Sequence, residues 1–161
     1  LDAVGAGFDT VGDLIANHSQ RAALAEIMRL VGEANAYVAR TEPFKLKAPE
    51  QRERLATVLN TLIQAVSDLN TMMCVFLPHS SNTIDAVLGG AGDIAPMPQI
   101  VEATDLDTGH PYPIIAGDYA GVRAWEHRAV VPGTPIAKPK PAFVKLDESI
   151  VAEELERLGI E

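Results

Sequence analysis

Ala34-Asn-Ala-Tyr-Val-Ala-Arg-Thr-Glu-Pro-Phe-Lys-Leu-Lys47 joins two stretches of helical periodicity, and its reading decides the fold. Pro43 cannot sit inside a helix, and it pushes the residue before it, Glu42, out of the helical region. The chain must therefore turn there. Phe44 follows on that corner, with Arg40, Lys45 and Lys47 around it. An aromatic ring on a rigid corner flanked by cations is a platform on which a nucleic-acid base can stack. The competing reading makes Phe44 a plug between two helices, the usual fate of a large apolar side chain.

Upstream of the corner, Leu24, Ile27, Met28, Val31, Ala34 and Val38 recur at three-four spacing, predicting one helix that Ser19 caps and that runs to about Arg40. Before it, Asp9 to Asn17 read as the last turns of another helix, with Asn17-His18-Ser19 as the break. Downstream, Pro49 suits the first turn of a helix, and Glu50 favours its dipole. Leu55, Val58, Leu59, Leu62, Val66, Leu69, Met73, Phe76 and Leu77 form its stripe, widened by Ile63 and Met72, so this helix is expected to be central and to end at Pro78. A short helix capped by Ser81 or Asn82 should stop at Gly89-Gly90. From Ala91 to Ala142 glycine and proline recur, and Ile100-Val101, Tyr112 to Ile115 and Val130-Val131 are short apolar touches with room for short strands. Asp147 caps a last helix carrying Ile150, Val151, Leu155 and Leu158. The expectation is an all-α fold: residues 1–90 an antiparallel helix bundle, and residues 91–161 an extended segment and C-terminal helix packing back on it in the same domain.

The 161 residues can bury a proper core, and 22 carboxylates against 13 Lys and Arg make the chain acidic. That balance argues against a protein that coats DNA or RNA, or that lies on an anionic membrane. The basic residues are localised. Arg21, Arg29, Arg40, Lys45, Lys47, Arg52 and Arg54 form a first group; Leu55 to Val122 hold no Lys or Arg; Arg123, Arg128, Lys138, Lys140 and Lys145 follow. The intervening stretch carries Asp68, Asp85, Asp93, Glu102, Asp105, Asp107 and Asp118, and reads as an acidic region that a polyanion avoids. One cysteine, Cys74, excludes an internal disulfide and fits a cytoplasmic protein. There is no signal-peptide pattern, and Val58 to Leu77 is too polar to span a membrane. A first residue of Leu1 suggests a piece of a longer protein.

Catalytic constellations are missing. His18, His79, His110 and His127 have neither helical pairing nor a cysteine companion, so no metal site is expected. Asp105-x-Asp107-x-Gly109 starts like a calcium loop but lacks the later ligands, and reads as a solvated turn. Gly89-Gly90-x-Gly92 follows a helix rather than a strand, so it is a cap and not a phosphate cradle. Gly32 suggests a close helix contact. Met72, Met73 and Cys74 read as core filler, and Trp125 as packing for the irregular segment. No nucleophile, base and oxyanion hole assemble.

Val11 to Leu46 resembles the anticodon-binding helical domain of the methionyl-tRNA synthetases, whose hallmark is Asn-x-Tyr/Phe near a helix end, then Pro-Trp and a Lys-containing helix start. The corresponding residues are Asn35-Ala36-Tyr37 and Glu42-Pro43-Phe44-Lys45-Leu46. Phe76-Leu77-Pro78-His79-Ser80 and Pro132-Gly133-Thr134-Pro135-Ile136-Ala137-Lys138-Pro139-Lys140-Pro141-Ala142-Phe143 resemble two further family peptides, in the family's order. The resemblance implies a helix bundle of the class I synthetase type that recognises the CAU anticodon loop of tRNA(Met). It makes Phe44, Pro43, Lys45, Lys47, Arg40 and Asn35 the candidate anticodon-binding residues, Phe44 standing where the family has a stacking Trp. It implies that an Asn and an Arg on a helix before Leu1 complete the contacts. ATP with Mg and the ligase chemistry then belong to a separate catalytic domain, a partner of this region, because neither a His-Ile-Gly-His-like nor a Lys-Met-Ser-Lys-Ser-like signature is here. No catalytic residue, cofactor, metal, DNA or membrane is expected for this chain itself. The anticodon domain of another class I synthetase, or a helical protein-interaction module, are the alternatives.

Overall fold

The computed structural model describes residues 1–95, 97–117 and 125–159. The chain is mostly helical. In order come α1 (Asp2–Ala16), α2 (Gln20–Thr41), short 3-10 turns at Pro43–Lys45 and Pro49–Gln51, α3 (Arg52–Met73), α4 (Pro78–Val87), β1 (Gln99–Thr104), β2 (Pro111–Ala116) and α5 (Ser149–Arg157). The short strands allowed for at Ile100-Val101 and Tyr112 to Ile115 form one antiparallel hairpin, which pairs Gln99 with Ala116 through Thr104 with Pro111 and adds a small sheet to the helices. Alternation in Ile100-Val101 and Tyr112 to Ile115 is too brief to distinguish a strand from a coil, because two strands form only when the turn between them also closes. Here Asp105 closes it: one carboxylate oxygen accepts from the Asp107 and Thr108 N–H groups and the Thr108 hydroxyl at 2.7–3.0 Å. These bonds hold the Asp105 carboxyl below the usual carboxylate range.

The core is shared by three helices. Val4, Phe8 and Val11 of α1, Ala23, Ile27 and Leu30 of α2, and Ala65, Leu69 and Met72 of α3 form one buried cluster. The helices meet closely at Gly7, where a Cβ would come within 2.5 Å of Leu30 Cδ1. Helix α1 is a full helix, of which the sequence reading caught the end. It closes with His18 in the left-handed region (φ 58°), while the Ser19 N–H reaches back to the Leu14 carbonyl at 2.8 Å. Ser19 does precede α2, but its hydroxyl turns to the Asn17 carbonyl rather than capping. Gly32 was expected at a close helix contact; nothing lies near it.

Two boundaries differ from expectation. Helix α3 ends at Met73, not at Pro78, and Pro78 starts α4. Apolar Val75, Phe76 and Leu77 prolong the helical pattern past its hydrogen bonds, and the missing N–H of proline suits a first helical turn as well as a stop. Ser81 and Asn82 therefore lie inside α4 rather than capping it. The glycine stop at its end is as expected: Gly89 takes φ 85°, its N–H donates to Ala86, and Gly90 N–H donates to Asp85.

The largest departure is on α3. Leu59 and Val66 of the expected stripe are exposed, while Gln64, Ser67, Asp68, Asn70 and Thr71 are buried. A strap, residues 125–130, partners Gln64, Ser67 and Asp68, while Asn70 donates to the Ser81 carbonyl of α4 at 2.9 Å and Thr71 to the Ser67 carbonyl within α3. Trp125 packs edge-on to Phe8 (centroids 5.7 Å apart) and donates its indole N–H to the Phe8 carbonyl at 2.8 Å, the packing role expected for it. The Gln64 amide exchanges two hydrogen bonds with the Val130 backbone, at 2.7 and 3.0 Å. His127 Nδ1 lies 2.9 Å from both Asp68 oxygens, and Arg128 donates to Asp85 at 2.8 Å. Asp68 and Asp85 thus belong to no acidic face; they are buried under His127 and Arg128 of the strap. Arg123 and Asp118, of the charge distribution read above, lie outside the described residues.

Among the described residues no helix is long and apolar enough to cross a membrane, and no cluster of His, Cys, Asp and Glu could hold a metal ion. Half-burial raises the thiol pKa of Cys74, which makes it a poor nucleophile.

Candidate nucleic-acid interface

The corner is held by its own backbone. Helix α2 ends as the Thr41 hydroxyl donates to the Tyr37 carbonyl at 2.8 Å and the Glu42 N–H to Val38 at 2.9 Å. Glu42 then adopts the left-handed region (φ 41°, ψ 56°), outside the helix as expected but not in the extended conformation that a following proline favours. Pro43–Lys45 forms a single 3-10 turn, in which Lys45 N–H donates to the Glu42 carbonyl at 2.8 Å and Leu46 N–H to Pro43 at 3.2 Å. At the start of the next helix, the Gln51 side chain accepts from the Ala48 N–H at 3.2 Å while Gln51 N–H donates to the Ala48 carbonyl. Both sides of the turn are thereby tied down.

Phe44 points away from the core: it is 62% exposed. The only ring pair among the described residues is Phe8 with Trp125, so no aromatic covers it. The plug reading of Phe44 does not describe this molecule. Pro43, the residue before it, is half-buried.

The cations of this stretch of chain divide into two kinds. Lys45 is bound to Glu42 at 2.7 Å. Arg40, Lys47, Arg52 and Arg54 are exposed and have no ion-pair partner among the described residues. Further back on α2, Arg29 is held by Glu26 at 2.6 Å, which lowers the Glu26 pKa and raises that of Arg29.

Asn35 stands apart from this group. It lines an apolar groove of about 480 Å³ between α2, α3 and α4, with Met28, Val31, Met73, Ile84 and Phe143. Arg40 lines a pocket on another side of α2, with Leu1, Val4, Tyr37 and Leu62. Five residues of helix separate the two by about 140° around the axis, so one ligand patch does not collect both. Of the six sequence-derived candidates, the corner brings together Pro43, Phe44, Lys45 and Lys47, with Arg40 one turn before. Arg52 and Arg54, read from the sequence only as part of a basic stretch, belong with them as free cations next in the chain.

An exposed aromatic on a fixed turn, in a basic stretch of the chain, offers the kind of surface on which an unpaired base can stack. No family model matches the chain. Curated relatives do. It is 54% identical over 158 residues to a methionine–tRNA ligase from Nocardioides sp., covering 98% of this chain and 26% of that protein. It is 54% identical to one from Beutenbergia cavernae and 50% identical to one from Salinispora tropica, each match covering at least 95% of the chain. Nearly the whole chain is thus similar to a stretch of the methionine–tRNA ligases, and it spans about a quarter of the length of the curated relatives it matches.

Proposed function

We propose that this chain is the anticodon-binding region of a methionine–tRNA ligase, located toward the C-terminal end of that enzyme. Its helices would form the antiparallel bundle of the class I synthetases, with residues 91–161 folding back on it as part of the same domain. The observation that carries the reading is Phe44, left exposed on a proline-fixed corner. A ring held there stacks on an unpaired base at little entropic cost, and base edges rather than phosphates supply the choice of anticodon. An acidic chain is compatible with this role, since gripping one loop needs few phosphate contacts. Lys47, Arg40 and Lys45 would flank the loop, and Asn35, on its own side of α2, would act separately from them.

On this reading methionine activation with ATP and Mg belongs to the remainder of the enzyme. The chain's partners are the anticodon loop of tRNA(Met) and that catalytic part, in the cytoplasm. The test uses the full-length ligase. Wild-type protein should charge tRNA bearing CAU much faster than tRNA with a substituted anticodon, and Phe44→Ala should narrow that ratio by about 5- to 150-fold. An unchanged ratio would exclude a role for this corner in anticodon choice.

A further inference from the structure

Glu42 has an unusual position. It is one of two non-glycine residues with positive φ among the described residues, and it directly precedes a proline. The left-handed region crowds Cβ, and the proline ring disfavours compact conformations of the residue before it, so the position would suit glycine better. The other such residue, His18, occupies an ordinary helix stop. At Glu42 the side chain is engaged: its carboxylate meets Lys45 Nζ at 2.7 Å, and its carbonyl accepts the Lys45 N–H at 2.8 Å. One residue therefore closes the turn twice, and Pro43 and Phe44 are the residues enclosed.

From this geometry we infer that Glu42 is a positioning residue whose ion pair with Lys45 clamps the turn presenting Phe44. This rests on the stacking role proposed above. It also reassigns Lys45: its charge is used within the protein, and the phosphate beside the stacked base is met by Lys47, which is exposed and unpaired among the described residues. The clamp acts by restricting the ring before RNA arrives, so that less freedom is lost on binding. A carboxylate near a phosphate would otherwise be expected to weaken RNA binding by repulsion. The two roles of Glu42 therefore give opposite signs when it is removed.

The test compares variants of the full-length ligase in tRNA charging, methionine activation and thermal melting. Glu42→Gly keeps the backbone conformation accessible and removes the clamp. KM for tRNA should rise about two- to fivefold, the range for one exposed ion pair, with kcat, methionine activation and Tm preserved. Glu42→Lys should raise KM further, and the charge-swapped double variant E42K/K45E should recover to within about twofold of wild type. A KM for Glu42→Gly that stays level or falls would overturn the clamp, since Glu42 would then only repel RNA. Failure of the swapped pair to recover would overturn it too. Phe44→Ala, measured alongside, separates the layers: if it leaves KM unchanged the stacking role itself is lost, whereas a raised KM there with an unchanged Glu42→Gly removes the clamp alone.

Discussion

At the strap, Asp68 and Asp85 lie 2% and 4% exposed beneath His127 and Arg128, and Gln64 is spent on backbone groups. In the stretch that holds the corner, Arg40, Lys47, Arg52 and Arg54 are exposed with no ion-pair partner among the described residues, and Phe44 is 62% exposed. Both regions are rich in charge. In the first, polar groups complete one another and hold a chain segment onto α1, α3 and α4. In the second they are left over, together with an apolar surface that folding did not use. Burial, then, separates the charges that build this fold from those available to a ligand.

The contrast can be broken at the strap most forcefully. Trp125→Ala removes both the ring contact with Phe8 and the indole bond to its carbonyl, and should cost about 3 kcal/mol of stability, read by chemical denaturation. Asp68→Ala leaves the His127 ring and the Arg128 N–H without their acceptor. It should cost about 1–3 kcal/mol in the same measurement, with the strap amides losing hydrogen-exchange protection ahead of the core. A variant at either position with wild-type stability would mean that the strap is not part of the cooperative fold.

These two regions also differ in how far the sequence disclosed them. The proline and aromatic at Pro43-Phe44 state their geometry locally, so the corner was readable from a few residues. Helices α2 and α3 announced themselves by apolar spacing, though not their faces: Leu24 and Met28 are exposed while Ala23 and Leu30 are buried. The polar face of α3 was illegible because Gln64, Ser67 and Asp68 look solvated until a segment some sixty residues later supplies their partners. Apolar periodicity carries no record of hydrogen bonds to a distant backbone. The hairpin was legible only as two apolar touches, since the bonds that the Asp105 side chain makes in its turn leave no mark in the spacing.

Smaller effects sharpen the comparison on the corner side. In binding of a tRNA anticodon loop by the full-length ligase, the log–log salt slope should be shallower than about −5, and Lys47→Gln should reduce it by about 0.7–0.9. Lys45→Gln, whose charge is already paired, should change the slope less. A steeper slope, or equal losses at the two lysines, would contradict the division into free and paired cations. Smallest is the acid titration of the hairpin. The Asp105 carboxyl titrates below its ordinary value, so the turn's contribution to stability is present above the unfolded value and lost as pH falls through the depressed one. The Thr108 amide resonance should report that loss, and Asp105→Asn should abolish the titration.

The most direct test of the account is Phe44→Ala in the full-length ligase, with tRNA charging and thermal melting measured on the same preparation. An exposed ring that serves a ligand predicts a loss of about 1–3 kcal/mol in kcat/KM for tRNA, methionine activation intact, and stability within about 0.5 kcal/mol of wild type. A large fall in melting temperature with charging per folded molecule unchanged would contradict it.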